Sequence, residues 1–367
     1  MAEHRRAPAR RVDALVVGGG IAGSCAAAAL AREGLDVMVC EAGLPSARRL
    51  AGELMHPPAA EALDRLGLLD PLVAAGAAPV YGFVVARGPE DRGTLLPYSE
   101  VVGARPTSIA IEHARMTRIL LDAVRGRPRV TVREGARVTE VDPHGARPVA
   151  TVRIGDREER IEAALIVLAD GRGSRLRTAL GFGARRGEEL RMVGWRVPRG
   201  RLPQPGYGHV FLSGGAIALA YPISREDVRV MFEVGTNEGL DLSSRLASLP
   251  EPFRGDVERA IRGPRLSAKV FALFPDRVAR DRVVLVGDAA GCVHPLTASG
   301  IAFCARDATQ LAAAVGERFE GGANVPFALA RYERERRGPM RARARLGPAL
   351  VEAFTSSAPE MRLLRHG

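Results

Sequence analysis

The residues best placed to do chemistry lie near opposite ends of the chain. Toward the C-terminal end, Arg282 to Ala308 reads RVVLVGDAAGCVHPLTASGIAFCARDA. The β-branched run Val283 to Val286 has the character of a buried parallel strand. It stops at Gly287-Asp288, passes through small residues and Pro295, and restarts as a helix near Ser299-Gly300. A carboxylate at a strand end can accept from a sugar-alcohol hydroxyl. The N-terminus of the next helix can stabilise negative charge developing on a ring. That pairing suits a phosphate-bearing redox cofactor, although an ordinary strand-turn-helix fits the segment alone as well.

A second motif decides between them. Val12 to Val17 reads as a strand, and Gly18-Gly19-Gly20-Ile21-Ala22-Gly23 then opens an alanine-rich helix. In this GxGxxG pattern Gly18 makes the tight turn, Gly20 lets the backbone approach a pyrophosphate, and Gly23 permits close helix–strand packing. Leu35 to Cys40 reads as a second strand and ends at Glu41, 21 residues after Gly20. An acid there is placed to bond the ribose hydroxyls of an adenosine half. Strand, helix, strand and terminal acid together predict a bound dinucleotide.

The elements that must position these residues fit a chain of 367 residues, long enough for two domains or one large α/β unit. The net charge of +11 comes from scattered arginines, with Lys269 the only lysine, and aromatic content is 5%. Both facts argue against nucleic-acid binding. A mildly positive surface can still recruit an anionic nicotinamide cofactor or touch a membrane surface peripherally. Cys25, Cys40, Cys292 and Cys304 form no CxxC and no Cys/His cluster able to hold a metal. Reduced core thiols are expected, and with them a cytoplasmic location. Residues 1–11 lack the apolar core of a signal peptide, and no apolar run reaches the ~18 residues of a membrane span.

Between the two motifs, Ala59 to Leu66 and Thr117 to Val124 read as helices. Arg129 to Val132, Ala136 to Val141, Val149 to Ile154, Arg157 to Ile161 and Leu165 to Leu168 read as strands, the last ending in Asp170-Gly171. Val80 to Arg87, Thr94 to Tyr98 and five short strands between Met192 and Phe274 suggest a separate antiparallel sheet with a helical cover. The expected fold is α/β: a discontinuous Rossmann-like cofactor domain (1–79, 106–185 and 275–325), an inserted, mainly antiparallel β-sheet substrate domain (80–105 and 186–274), and a C-terminal helical segment (326–367). The basic helix Phe327 to Leu346 reads as a solvated surface element. Phe83, Trp195, Phe211, Tyr221 and Phe271 are candidate apolar walls of a substrate pocket or plain sheet core. His56, in a Pro-flanked loop, is a turn residue or faces the redox ring.

Three motifs stand in order: GGGIAG with Glu41, LIVLADGRGSRLR, and VVLVGDAA with HPLTASG. This arrangement resembles the FAD-dependent group A flavoprotein monooxygenases of the p-hydroxybenzoate hydroxylase fold. Within them it is most similar to squalene epoxidase. That family's GE(F/L)LQPGG corresponds to GELMHPPA at 52–59, its HHGRF to EHARM at 112–116, and its GDA with RHPLTGGGM to GDAAGCVHPLTASGI. The resemblance implies that Gly18, Gly20, Ile21, Ala22 and Gly23 hold the ADP moiety of FAD, with Glu41 and neighbouring Ala42 at its ribose. It implies FAD contacts for Arg49, Leu54, Arg115 and backbone near Val138, and a shared FAD and nicotinamide role for Asp170. Asp288 would bind the ribityl chain, with Pro295, Gly300 and Ile301 by the flavin ring. Where the family has glutamine this chain has His56, and an active-site tyrosine falls at or beside Phe83. Pro57-Pro58 and Ala298-Ser299 replace glycine pairs.

The chain ends about where the family's membrane-anchoring helices would follow. The implied activity is therefore oxygenation, by epoxidation or hydroxylation, of another lipophilic (prenylated or polycyclic) small molecule in secondary metabolism. FAD is the cofactor, NADPH or NADH the transient reductant and O2 the oxidant. A geranylgeranyl-type prenyl reductase shares GDAAG and PLT at 287–297, and a non-catalytic lipid-binding relative would share only the first glycine motif.

Overall fold

The computed structural model describes residues 10–44, 50–213, 216–234, 242–294, 297–316, 319 and 321–355. Strand β1 (Arg10–Val17), helix α1 (Ile21–Arg32) and strand β2 (Val37–Glu41) open the fold, with β1 and β2 parallel. Ala14 to Val17 and Val37 to Cys40 are all buried, because layers cover both faces of the sheet. In α1 every residue from Ile21 to Leu30 is buried, and most are alanine or smaller, so the helix can lie close against its neighbours.

Helices α2 (Pro57–Arg65) and α3 (Leu69–Ala74) lead to strands β3 (Ala78–Val80), β4 (Gly82–Arg87), β5 (Thr94–Pro97) and β6 (Ser108–Ala110). Helix α4 (His113–Arg125) starts ahead of the expected Thr117, since Met116 already belongs to its buried stripe. Strands β7 (Val130–Glu134), β8 (Ala136–Asp142), β9 (Val149–Ile154) and β10 (Arg157–Leu168) follow. The two strands expected at Arg157 and Leu165 are one. Arg157 to Glu162 of β10 pairs antiparallel with β9, and Ile161 to Leu168 pairs parallel with β1. Its first half is largely exposed and its second half buried. What looks like a boundary in composition is a change of surroundings along one strand.

After α5 (Arg175–Ala179) come β11 (Ala184–Pro198), β12 (Gly208–Ser213), β13 (Ala216–Pro222), β14 (Asp227–Val234), α6 (Ser243–Ala247), α7 (Phe253–Ala260) and β15 (Leu266–Pro275). These strands and the earlier hairpin form one sheet in the order β15-β11-β14-β13-β12-β4-β5. It is antiparallel except at the seam, where β12 and β4 run parallel. One face packs Trp195, Phe211 and Phe232 against Leu249, Phe253 and Val257 of the helical cover. The other presents Met192, Tyr221, Met231 and Val270 to Leu50, Leu54 and Tyr98.

The chain then returns through β16 (Ala279–Arg280), β17 (Val283–Leu285), a 3-10 turn at Gly287–Ala290, α8 (Gly300–Gly316) and α9 (Val325–Thr355). The first sheet runs β16-β17-β10-β1-β2-β7, with β8 and β9 attached through β10, so β1 lies near its centre. The expectation that the basic C-terminal helix is a solvated element needs correction. Val325, Leu329, Tyr332, Arg336 and Arg343 of α9 are buried, and Arg336 pairs with Asp307 of α8 at 2.8 Å. The arginine stems supply apolar surface that a charge count hides. Among the described residues no helix is long and apolar enough to cross a membrane.

Candidate active site

The three glycines of the first motif do three different things. Gly18 has φ +100°, and a Cβ there would meet the Ala169 carbonyl oxygen at 2.7 Å. A Cβ on Gly23 would lie 1.8 Å from the Gly18 carbonyl oxygen. The first seats the β1–α1 turn against the end of β10, and the second lets α1 close onto that turn. Gly20, the residue preceding α1, faces open space with no atom within 4 Å of a built Cβ. Ile21 and Ala22 begin the helix from a buried position. Glu41, at the end of β2, accepts from the Gly19 and Gly43 N–H groups at 2.6 Å each. Each carboxylate oxygen keeps a further lone pair for a ribose hydroxyl. Ala42 beside it is exposed, and Val138 is buried in β8.

The Asp170 loop and the Gly287–Ala290 turn are tied together. Arg177, buried, donates to the carbonyls of Arg172 at 3.2 Å and Ala289 at 3.3 Å, and Arg172 reaches Asp288 Oδ2 at 3.3 Å. Gly287 has φ +59°, and a Cβ there would sit 2.5 Å from Ala22 Cβ. Its N–H donates to Asp307 Oδ2 at 2.9 Å. Asp288 is therefore set beside the N-terminus of α1, on the rim that carries the glycine turn and Glu41. Burial pushes the Asp170 carboxyl up from its ordinary range, and its Oδ1 is buried with no hydrogen-bond partner. Such an orphan calls for a donor from outside the protein. An open backbone cradle, carboxylates spaced along one rim and an unpartnered buried acceptor fit the diphosphate, ribose and ribityl groups of an FAD.

At the other end of this rim α8 begins with Gly300 and the buried Ile301. A Cβ on Gly52 would lie 3.9 Å from Ile301. The loop before α2 thus runs past the start of α8. Leu54, buried, makes a β-bridge to Ala110. His56 ends the loop and precedes α2, with Nδ1 2.9 Å from the Tyr98 hydroxyl and its ring 5.3 Å from that of Phe83. Burial lowers the His56 pKa and raises that of Tyr98, so both are neutral at pH 7. No described residue engages His56 Nε2.

Sequence reasoning missed what anchors this loop. Glu53 receives two hydrogen bonds from Arg229 of β14, at 2.8 and 2.7 Å, and one from the Tyr221 hydroxyl at 3.2 Å. Both charged side chains are at most 2% exposed. The only signal available was a lone arginine amid the apolar run of β14 and an acid amid apolar neighbours. Tyr98 stands out in the sequence only as the end of a strand.

Several other expected residues are engaged within the protein. Arg115 donates to the Ala75 carbonyl at 2.5 Å. Trp195 and Phe211 face the helical cover, so they are core and not walls of a pocket under the sheet, whereas Phe83 and Tyr221 lie on the face turned toward the loop. The Phe271 ring is covered by the guanidiniums of Arg186 and Arg172, at 3.6 and 5.4 Å. Arg49 and Pro295 lie outside the described residues. Among the described residues no group of three or more His, Cys, Asp or Glu could hold a metal ion.

A family model described as an FAD binding domain matches residues 11–198, and one described as squalene epoxidase matches residues 162–367. Fold and site together define an FAD-dependent monooxygenase. Within that class the chain belongs to the squalene epoxidase family. It is 29% identical to squalene epoxidase erg1 of Schizosaccharomyces pombe over 97% of this chain and 81% of that protein. It is also 29% identical to ubiquinone hydroxylase UbiL of Rhodospirillum rubrum, over 96% and 84% of the two chains. The structure of p-nitrophenol 4-monooxygenase PnpA of Pseudomonas putida shares the fold, with a TM-score of 0.79 at 22% identity over 96% of this chain and 92% of that one. The α/β fold, the FAD and the monooxygenase class expected from the motifs are borne out.

Proposed function

We propose that the enzyme takes electrons from NADPH or NADH and places one oxygen atom of O2 on a lipophilic, prenylated or polycyclic small molecule, by epoxidation or hydroxylation. The observation that carries this is the apolar cluster between the inner face of the second sheet and the loop 50–56, next to the start of α8. Leu54, Tyr221 and Met231 pack there with Phe83 beside them, and His56 and Tyr98 supply a polar edge. The bound FAD supplies the redox chemistry, accepting electrons and activating O2. The chain's own part is to hold and exclude. Gly18, Gly20, Gly23 and Glu41 seat the ADP half, Asp170 and Asp288 the hydroxyls, and Gly300 and Ile301 the ring. His56 Nε2, its ring fixed through Nδ1 by Tyr98, orients a polar group of the substrate. The ubiquinone hydroxylase relative supports including quinone-like and phenolic lipids in that class. Beside the Asp170 loop, a cavity of about 510 Å³ lined by Arg172, Arg175, Arg177, Arg186 and Phe271 suits the phosphates of the reductant. Four buried, free cysteines fit a reducing cytoplasm.

The test is oxidation of NADH and NADPH by the purified yellow protein against a panel of squalene, prenylated phenols and polycyclic lipids. The expected result is substrate-stimulated consumption, with one atom of labelled O2 in the product. Anaerobic saturation of a double bond, with no oxygen incorporated, would replace this reading with a prenyl reductase.

A further inference from the structure

We propose that Arg343, from α9, is the buried positive charge that favours the reduced, anionic state of the bound FAD, acting through the Thr297–Gly300 segment at the start of α8. The proposal rests on the FAD site described above. Arg343 is only 7% exposed. Its Nε donates to Ser299 Oγ at 2.7 Å, and Ser299 Oγ lies 2.7 Å from Thr297 Oγ1. The guanidinium carbon stands 4.3 Å from the centre of the Phe303 ring, and Nη2 is 4.0 Å from where a side chain on Gly300 would begin.

What sets this cation apart from the next buried arginine on its helix is that no carboxylate is paired with it. Two turns earlier on the same helix, Arg336 is equally buried and is matched by Asp307 at 2.8 Å. Among the described residues no carboxylate lies within ion-pair distance of Arg343. The Asp288 charge acts on Arg343 only from beyond ion-pair distance, and Asp288 is itself held by Arg172 at 3.3 Å. A guanidinium cannot shed its proton to escape burial, and an uncompensated buried charge is strongly unfavourable. A fold that keeps one at the edge of a ligand site is matched to a charge the ligand brings.

Oxidised flavin is neutral in its ring and the two-electron-reduced ring is anionic near neutral pH. A fixed cation therefore stabilises only the reduced form, and charge near the ring is one of the few levers a protein holds over a flavin's electronics. The N-terminus of α8, a helix of 17 residues, points the same sign of potential at the same place. Arg343 acts here as a positioning charge, not as a group in contact with substrate.

The experiment measures the FAD midpoint potential by anaerobic dye equilibration in three variants of the holoenzyme. Arg343→Met keeps an apolar stem and removes the charge that lies over Phe303. It should retain one FAD per chain while the reduced-to-oxidised ratio at a fixed potential falls about tenfold. Arg343→Lys should stay close to wild type. Ser299→Asp places a carboxylate on the same guanidinium and should lower the potential without removing the arginine. An unchanged potential in either FAD-bound charge-neutralising variant overturns the proposal. So does loss of FAD from both, which would make Arg343 structural. Wild-type protein without FAD would instead sink the flavin reading itself.

Discussion

Removing one half of the Glu53–Arg229 pair should destabilise the protein more than removing both. Burial alone would weaken proton binding by Arg229, but the hydrogen bonds and charge of Glu53 outweigh it and carry the pKa up. The Tyr221 hydroxyl is pushed well above its ordinary value, first by burial and then by the Glu53 charge. Arg229 is thus charged at neutral pH, and three hydrogen bonds converge on the Glu53 carboxylate. Arg229→Met leaves Glu53 buried with Tyr221 as its remaining donor among these partners. Breaking a buried pair in this way costs about 3–5 kcal/mol. Adding Glu53→Gln removes the stranded charge and keeps an acceptor for Tyr221, so the double variant should recover at least about 2 kcal/mol of that loss. Urea unfolding of the FAD-saturated protein measures both. A single variant that loses under about 1 kcal/mol, or a double variant no more stable than the single, refutes the claim that this pair clamps the loop to the sheet. The same variants should release more hydrogen peroxide per NAD(P)H consumed, because the loop carrying Leu54 and His56 then sits less firmly at the ring.

His209, 1% exposed, is locked as the neutral tautomer: its ring accepts from the Gln204 N–H at 3.3 Å and donates to the Tyr207 carbonyl at 3.1 Å. Burial pulls its pKa from 6.5 down to about 4. Between those values the unfolded chain binds the extra proton, so stability is full above pH 6.5 and falls by about 3 kcal/mol toward pH 4. His209→Gln should flatten that part of the urea-midpoint profile, and a profile that stays as steep would contradict the assignment. Gly20→Ala should fold normally yet bind FAD at least about tenfold more weakly, whereas Gly23→Ala should fail to fold, since only the second Cβ strikes backbone. Circular dichroism and flavin absorbance separate the two. Asp288→Ala should lose FAD on gel filtration; tightly retained flavin would show that the turn is not part of the site. Burial drives the thiols of Cys25 and Cys40 up to about 12 and about 11, and all four cysteines are buried. A thiol reagent should therefore find almost nothing in the native protein and four groups after denaturation.

The parts of the fold that could be read in advance are those where local sequence and long-range structure make the same demand. Gly18, Gly20 and Gly23 are constrained within one turn, and Glu41 follows at the end of the next strand, so spacing alone carries the geometry. The continuity of β10 was not visible, because exposure changes along a strand that exchanges one partner for another. The facing of Trp195 and Phe211 depends on which side of the sheet receives α6 and α7, and alternation is blind to that choice. Glu53 and Arg229 are 176 residues apart, and nothing at either position announces the other. Arg336 and Arg343 were lost in a basic helix whose arginines look equally wet until its packing against α8 is known.

The central placement of β1 has a consequence for how the protein is made. Its sheet is completed on one side by β17, which ends at Leu285, after the entire second sheet has been laid down. At roughly 5–20 residues per second, β17 leaves the ribosome roughly 15–50 s after β1. For the last roughly 6–23 s of that interval, after β10 has emerged, its edge reserved for β17 stands bare, and Asp288 has not yet joined Glu41 on the common rim. Flavin loading is thereby confined to a nearly finished chain, and nascent protein stalled before this strand offers chaperones an unpaired, apolar edge in place of a cofactor site.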